Sequence, residues 1–185
     1  MSKKITSLFN FKKLQKFSSA LMLPIAILPA AGLILAIGIS FNIELLANCG
    51  GLIFANLPLL FCVGIVIGLT GDGSSSLSAI ISYMIMNATM GTQLGITAES
   101  VAASNGDYAM ILGVPTLQTG VFGGLIVAIF VYLLYTRFHN IELPQFLGFF
   151  GGKRFVPIIT AVAAIIVGYL LPGLWVTGQK GLAAL

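Results

Sequence analysis

Apolar residues in this chain come in long blocks separated by short polar breaks, a pattern unlike the alternation or narrow stripes of a soluble domain. The block from Phe17 to Ile43 carries no charge and exceeds the roughly 20 residues needed to cross a hydrocarbon core. It predicts a first helix over about Ala20 to Phe41. Pro24 and Pro29 each remove an amide donor, so this helix is expected to kink or begin irregularly, as a hinge or as a fixed bend. Glu44 and Asn48 read as a polar break before a second span, Leu52 to Thr70, with Asn56 and Pro58 inside it and Asn56 in need of a partner on a neighbouring helix or in a wet cavity. Gly71 to Ser76 reads as a loop, with Asp72 or Ser74 to Ser76 available to cap a third helix over Leu77 to Gly91. Thr92 to Asp107 is polar and predicts a soluble loop with a short helix near Thr97 to Ala103, whereas Tyr108 to Thr116 is apolar but interrupted by Gly113 and Pro115. That piece is expected to dip into the interface or pack re-entrantly. A fourth span follows over Leu117 to Tyr135 and a fifth over Phe155 to Leu171, stopping at Pro172, with Trp175 as an interfacial anchor. The predicted fold class is all-α: a polytopic membrane helix bundle of about five transmembrane helices.

Composition agrees: 58% of the 185 residues are hydrophobic and 8% charged, against about 25% charged in soluble domains. The net charge of +4 does not point to nucleic acid, because the cations sit at the edges of apolar blocks, where they set topology. No Lys or Arg lies between Lys16 and Arg137. Four predicted crossings separate those two basic regions, so both fall on one side. A cytoplasmic placement puts eight of the nine basic residues inside, with Lys180 outside. The amino terminus is then cytoplasmic in a cell membrane, the loop with Glu99 and Asp107 faces out, and Gly71 to Ser76 faces in. Ile5, Leu8 and Phe9 make an apolar stripe beside Lys4, Lys12, Lys13 and Lys16, which fits an interfacial helix over Ile5 to Lys16 lying on an anionic leaflet. The first apolar block is too long for a signal-peptide core of about 7 to 15 residues.

Positive charge returns to the interior of the chain only between Arg137 and Pro157. There Arg137, Lys153 and Arg154 bracket Phe146, Phe149 and Phe150, with Gly148, Gly151 and Gly152 freeing the backbone and His139, Glu142 and Pro144 at the entrance. A cation at the bilayer centre costs on the order of 3 kcal/mol, so this stretch belongs at a membrane surface with its rings at headgroup depth. Lys153 and Arg154 are either topology anchors or a cytoplasmic contact for an acidic partner. Gly64 and Gly68, and Gly120 and Gly124, have the four-residue spacing that lets helices approach closely. Catalytic candidates are absent. Cys49 and Cys62 lie in or beside apolar blocks without a CxxC or a His cluster, no metal-ligand constellation or cofactor motif occurs, and GDGSSS lacks the lysine and frame of a P-loop.

Four strings, ALMLPIAILPAAGLILAIG, FANLPLLFCVGIVIGLTGDG, ILGVPTLQTGVFGG and IELPQFLGFFGGKRFVPI, resemble in order the membrane-spanning IIC component of the glucose-type phosphotransferase-system permeases. The resemblance is closest to glucose-specific members, with N-acetylglucosamine-type members next. It implies a basic amphipathic segment over 1–17 and, over 18–185, the scaffold and dimerisation part of a IIC domain. It also implies a homodimer in the lipid bilayer that imports a hexose, most simply glucose, and passes it to cytoplasmic IIB and IIA components for phosphorylation. In such permeases the sugar site, with a Gly-Ile-Thr-Glu motif, lies in later helices that have no counterpart in these residues. No sugar-binding residue is therefore assigned, and sugar is expected to bind only when that half is supplied. The alternative is a non-transporting scaffold or truncated remnant that dimerises or pairs with a homologue.

Overall fold

The computed structural model describes the backbone over 11–183 and the side chains over 15–175, so the interfacial helix expected over Ile5 to Lys16 lies largely outside the described residues. Among the described residues eight α-helices follow one another: α1 (Phe11–Ile25), α2 (Leu28–Ser40), α3 (Glu44–Ala55), α4 (Leu57–Thr70), α5 (Gly73–Gln93), α6 (Ala98–Ala103), α7 (Gly120–Phe138) and α8 (Phe155–Ala183). A two-stranded hairpin, β1 (Tyr108–Ile111) and β2 (Val114–Leu117), precedes α7, and two short 3₁₀ turns, Gln145–Phe150 and Gly152–Arg154, precede α8. The fold is the all-α membrane bundle that the apolar blocks predict.

The segments Gln15–Ser40, Gly120–Phe138 and Gly152–Trp175 are long and apolar enough to cross a membrane, and α3 with α4 makes a fourth if this pair, bent by 57°, counts as one. Helix α5 is 21 residues long, about 31 Å. It runs the length of the bundle but carries a buried stripe of Ser75, Ser78, Ser82 and Asn87, which lowers its apolarity and seats it in the interior. Around it Ile65, Val66, Met86, Met90, Val127 and Val131 close the core without exposure. Three hydroxyls are paired within their own helix: Thr70 donates to Val66 O, Ser78 to Ser74 O and Thr89 to Ile85 O, all at 2.8 Å. Helices in lipid have to satisfy polar groups internally, and these do.

Close approaches give the directions, antiparallel for α1 with α4 and for α2 with α3, and parallel for α8 with α5, whose starts also meet through Lys153 and Asp72. Gly68 lies against Ala20 and Gly64 against Pro24 between α1 and α4, Gly38 against Ala47 and Gly50 against Leu35 between α2 and α3, and Gly168 against Met86 between α8 and α5. The amino-terminal part of α1, the α4–α5 turn, the end of α7 and the start of α8 consequently share one end of the bundle. The hairpin lies at the other end, where Pro115 packs on Gly91 of α5. Helices α2 and α3 pack chiefly on each other.

Several expected boundaries move. The first span is two helices broken at Ala26 and Ile27, between the two prolines, and Pro29 opens α2. Glu44 and Asn48 sit inside α3 rather than in a break, while the expected second span divides at Asn56, whose side chain donates to Leu52 O at 2.9 Å in its own helix. Pro58 forces that division, since it cannot donate to a carbonyl of the preceding turn and is accommodated only at the start of α4. Helix α5 starts at Gly73, four residues before Leu77, because Asp72 caps it. The short helix near Thr97 is a six-residue turn held by a Thr97–Ser100 capping box. Tyr108 to Thr116 packs over the end of the bundle, with Pro115 on Gly91 of α5. It forms the hairpin, with Leu112 and Gly113 at φ 51° and 81°, the left-handed pair that a two-residue turn requires. Pro172 does not stop the last helix, which runs through it to Ala183, and Trp175 packs against the Phe122 ring at 6.5 Å.

Candidate functional site

The polar residues that fold brings together sit at the shared end of the bundle, around Asp72. Gly71 closes α4 in the left-handed conformation at φ 69°, a position that suits glycine, and the chain turns straight into α5. Asp72 is the α5 N-cap: Ser74 N–H donates to its Oδ1 at 2.9 Å. Its carbonyl accepts from Ser75 Oγ at 2.7 Å and Ser76 Oγ at 3.2 Å, and Thr70 Oγ1 shares a 2.6 Å bond with Ser75 Oγ. The other carboxylate oxygen meets groups far away in sequence. Tyr135 OH, near the end of α7, donates to Oδ2 at 3.0 Å, and Lys153 Nζ, just before α8, makes an ion pair with the same atom. One carboxylate thus ties α5, α7 and α8. Lys153, Ser74 N–H and Tyr135 together hold the Asp72 carboxyl well below the usual carboxylate range, the lysine contributing most.

His139 stacks on Tyr135 with ring centroids 5.0 Å apart, and its Nδ1 is 2.9 Å from Tyr135 O. Beyond it lies an open basin of about 750 Å³ bordered by His139, Glu142, Gly148, Gly151 and Lys153. Arg154 turns the other way: its guanidinium lies 4.6 Å from the Phe149 ring centroid and Nη1 donates to Phe149 O at 3.3 Å. Phe146 and Phe149 are 83% and 71% exposed, so the aromatic turn projects away from the bundle while Lys153 is drawn back onto it.

The glycines divide. Gly64 and Gly68 form no open groove, because α1 fills it with Pro24 and Ala20. Gly124 carries the α4–α7 approach: a Cβ there would lie 2.0 Å from Pro58 O. A Cβ at Gly120 would meet nothing within 4 Å, and the residue opens α7 at φ 55°. Sequence reading missed the partnership of Asp72 with Tyr135 and Lys153. Asp72 was legible as a cap and Tyr135 as an aromatic at a helix end, but nothing local signals a bond across 63 or 81 positions. Cys62 is buried and Cys49 exposed, both as free thiols.

Residues 18–185 match the family described as Phosphotransferase system, EIIC. The chain belongs to that family. Among curated EIIC relatives, it is 43% identical over 194 aligned positions to a protein of Staphylococcus saprophyticus subsp. saprophyticus named PTS system glucose-specific EIICBA component. The alignment covers 94% of this chain and 29% of that relative, so the chain spans under a third of the curated protein it matches. EIIC membership and the apolar helices make this an integral membrane protein.

Proposed function

We propose that this chain is the amino-terminal scaffold of a sugar-importing EIIC permease whose substrate is a hexose, most simply glucose, and which works with IIB and IIA phosphotransferase components. The observation that carries this reading is the 43% identity extending over 94% of the chain to a relative named as glucose-specific. The sugar is held by residues outside 1–185, since the packed interior described above is a core around α5 and the basin beside Lys153 is open. The exposed Arg154, with Lys153 beside it, is the contact offered to a cytoplasmic component.

Co-expression supplies the test. The chain would be produced with the remaining part of the staphylococcal relative in cells lacking glucose-type permeases, and phosphoenolpyruvate-dependent phosphorylation of labelled glucose measured. Sugar phosphate is expected only when both parts are present. Glucose binding or uptake by the chain alone would overturn the placement of the site, and co-isolation of both parts without phosphorylation of any hexose would overturn the function.

The shared end is proposed to be cytoplasmic, because it gathers Arg137, Lys153 and Arg154. With Cys49 and Cys62 replaced, Glu99→Cys should react with an impermeant maleimide in intact cells, and Gln145→Cys only after permeabilisation. The reverse pattern would invert the protein in the membrane.

A further inference from the structure

The loop joining α7 to α8 is stapled at its neck and apolar at its tip. Gly152, at φ 65°, donates its N–H to Ile141 O at 2.8 Å, and the Phe138 and Phe155 rings meet edge-on beside it with centroids 6.1 Å apart. The Lys153–Asp72 ion pair ties the same point to α5. Beyond this closed neck the 3₁₀ turn Gln145–Phe150 presents Phe146, Leu147, Phe149 and Phe150, all exposed. The Phe149 and Phe150 rings pack edge-on at 5.4 Å, and Arg154 holds Phe149 through both its ring and its carbonyl. The tip is thus a preformed surface, and binding there costs little ordering of side chains.

We propose that this tip is a lipid anchor, with Phe146 and Phe149 seated in the headgroup layer of an anionic leaflet. Its position in the chain supports this. Gly120–Phe138 and Gly152–Trp175 are both long and apolar enough to cross a membrane, so residues 139–151 leave the bilayer and return to it within one loop. Closure between Ile141 and Gly152 limits how far that loop extends into water. Charge selects the occupant. Among the described residues, Lys16, Arg137, Lys153 and Arg154 lie at this end against Asp72 and Glu142, and the excess of cations attracts acidic headgroups. A second copy would bring the same cations to the contact, where like charges oppose association. A leaflet instead layers phosphate over acyl chains, which matches a guanidinium lying beside exposed rings. Aromatic rings favour that boundary. Arginine extends its charged head toward water from such a depth, so Arg154 stays at the outer surface of the layer, within reach of a cytoplasmic component.

Fluorescence quenching of the 185-residue chain in lipid vesicles tests the anchor. Trp175→Phe removes the native indole, and Phe146→Trp introduces one at a residue 83% exposed, where the larger ring needs no repacking. In vesicles containing phosphatidylglycerol, lipid brominated near the headgroup end of its acyl chains should quench the emission several-fold more than acrylamide in the water does. That lipid quenching should weaken in vesicles of phosphatidylcholine alone, and equal quenching in the two would overturn the preference for an anionic leaflet. Free access to acrylamide with no effect of brominated lipid would overturn the anchor and leave the tip to a soluble partner. Protection from both quenchers, relieved on dilution into excess lipid, would overturn it in favour of a second copy.

Discussion

Gly124→Ala should destabilise the protein by about 3 kcal/mol, the upper end of the usual overpacking cost. The added Cβ would lie 2.0 Å from Pro58 O and 2.9 Å from Pro58 C. Both are backbone atoms at the start of α4, so no side chain can rotate away. Relief needs α4 and α7 to separate, which strips contacts from the core that both helices share. Gly51→Ala is the matched control. It sits inside α3 with nothing within 4 Å of the new methyl, and an alanine there should stabilise the helix by up to about 1 kcal/mol. Denaturant titration in mild detergent, followed by Trp175 fluorescence, would resolve the opposite signs. A Gly124→Ala protein as stable as wild type would mean that α4 and α7 are not in contact at Pro58.

Asp72→Ala should cost about 2 kcal/mol. Loss of the N-cap accounts for about 1 kcal/mol. The hydrogen bond from Tyr135 contributes on the order of 1 kcal/mol. The ion pair adds less, because the Lys153 side chain is 60% exposed and solvent screens such pairs. Asp72→Asn keeps one oxygen for Ser74 N–H but puts an amide nitrogen, which cannot accept from Tyr135 OH, in place of Oδ2, and should cost about 1 kcal/mol. The two variants separate in pH dependence. The folded-state pKa of Asp72 is depressed, so its contribution is fully present above the unfolded carboxylate value of about 3.9. It is lost as pH falls below that value toward the folded one. Wild type should therefore lose stability on acidification below about pH 4 by more than Asp72→Asn does. Parallel pH profiles for the two proteins would show that the carboxylate charge is not used in the fold.

What the sequence reveals here follows from the range of the interactions involved. Long uncharged blocks announce spans because lipid punishes a charge wherever it falls, so α7 and the first part of α8 lie close to their expected limits. The Thr97–Ser100 cap and the Asp72 cap are also legible, since each is closed within three residues. Pro58 and Pro172 show where such reading weakens. One ends a helix and the other is carried through, because the consequence of a lost amide depends on neighbours that are distant in sequence. The hairpin was hidden because Tyr108 to Leu117 is apolar on both faces of its strands, and the deciding signal is the left-handed pair Leu112–Gly113. The site was legible as a basic aromatic loop. Its anchoring onto Asp72 was not, since an ion pair between positions 72 and 153 leaves no trace in the pattern around either.

Asn56 closes one helix and opens the next. Its N–H returns to Leu52 O and Ile53 O of α3, while its carbonyl accepts from Leu60 N at 3.1 Å in α4. The negative pole of one helix therefore meets the positive pole of the other across a single residue, and the two partial charges, about half an elementary charge each, largely offset one another. A helix end left bare in hydrocarbon would be repelled by it; this joint has no such bare pole. The 57° elbow is thus electrostatically quiet, and lipid can surround the α3–α4 corner as it surrounds an unbroken helix.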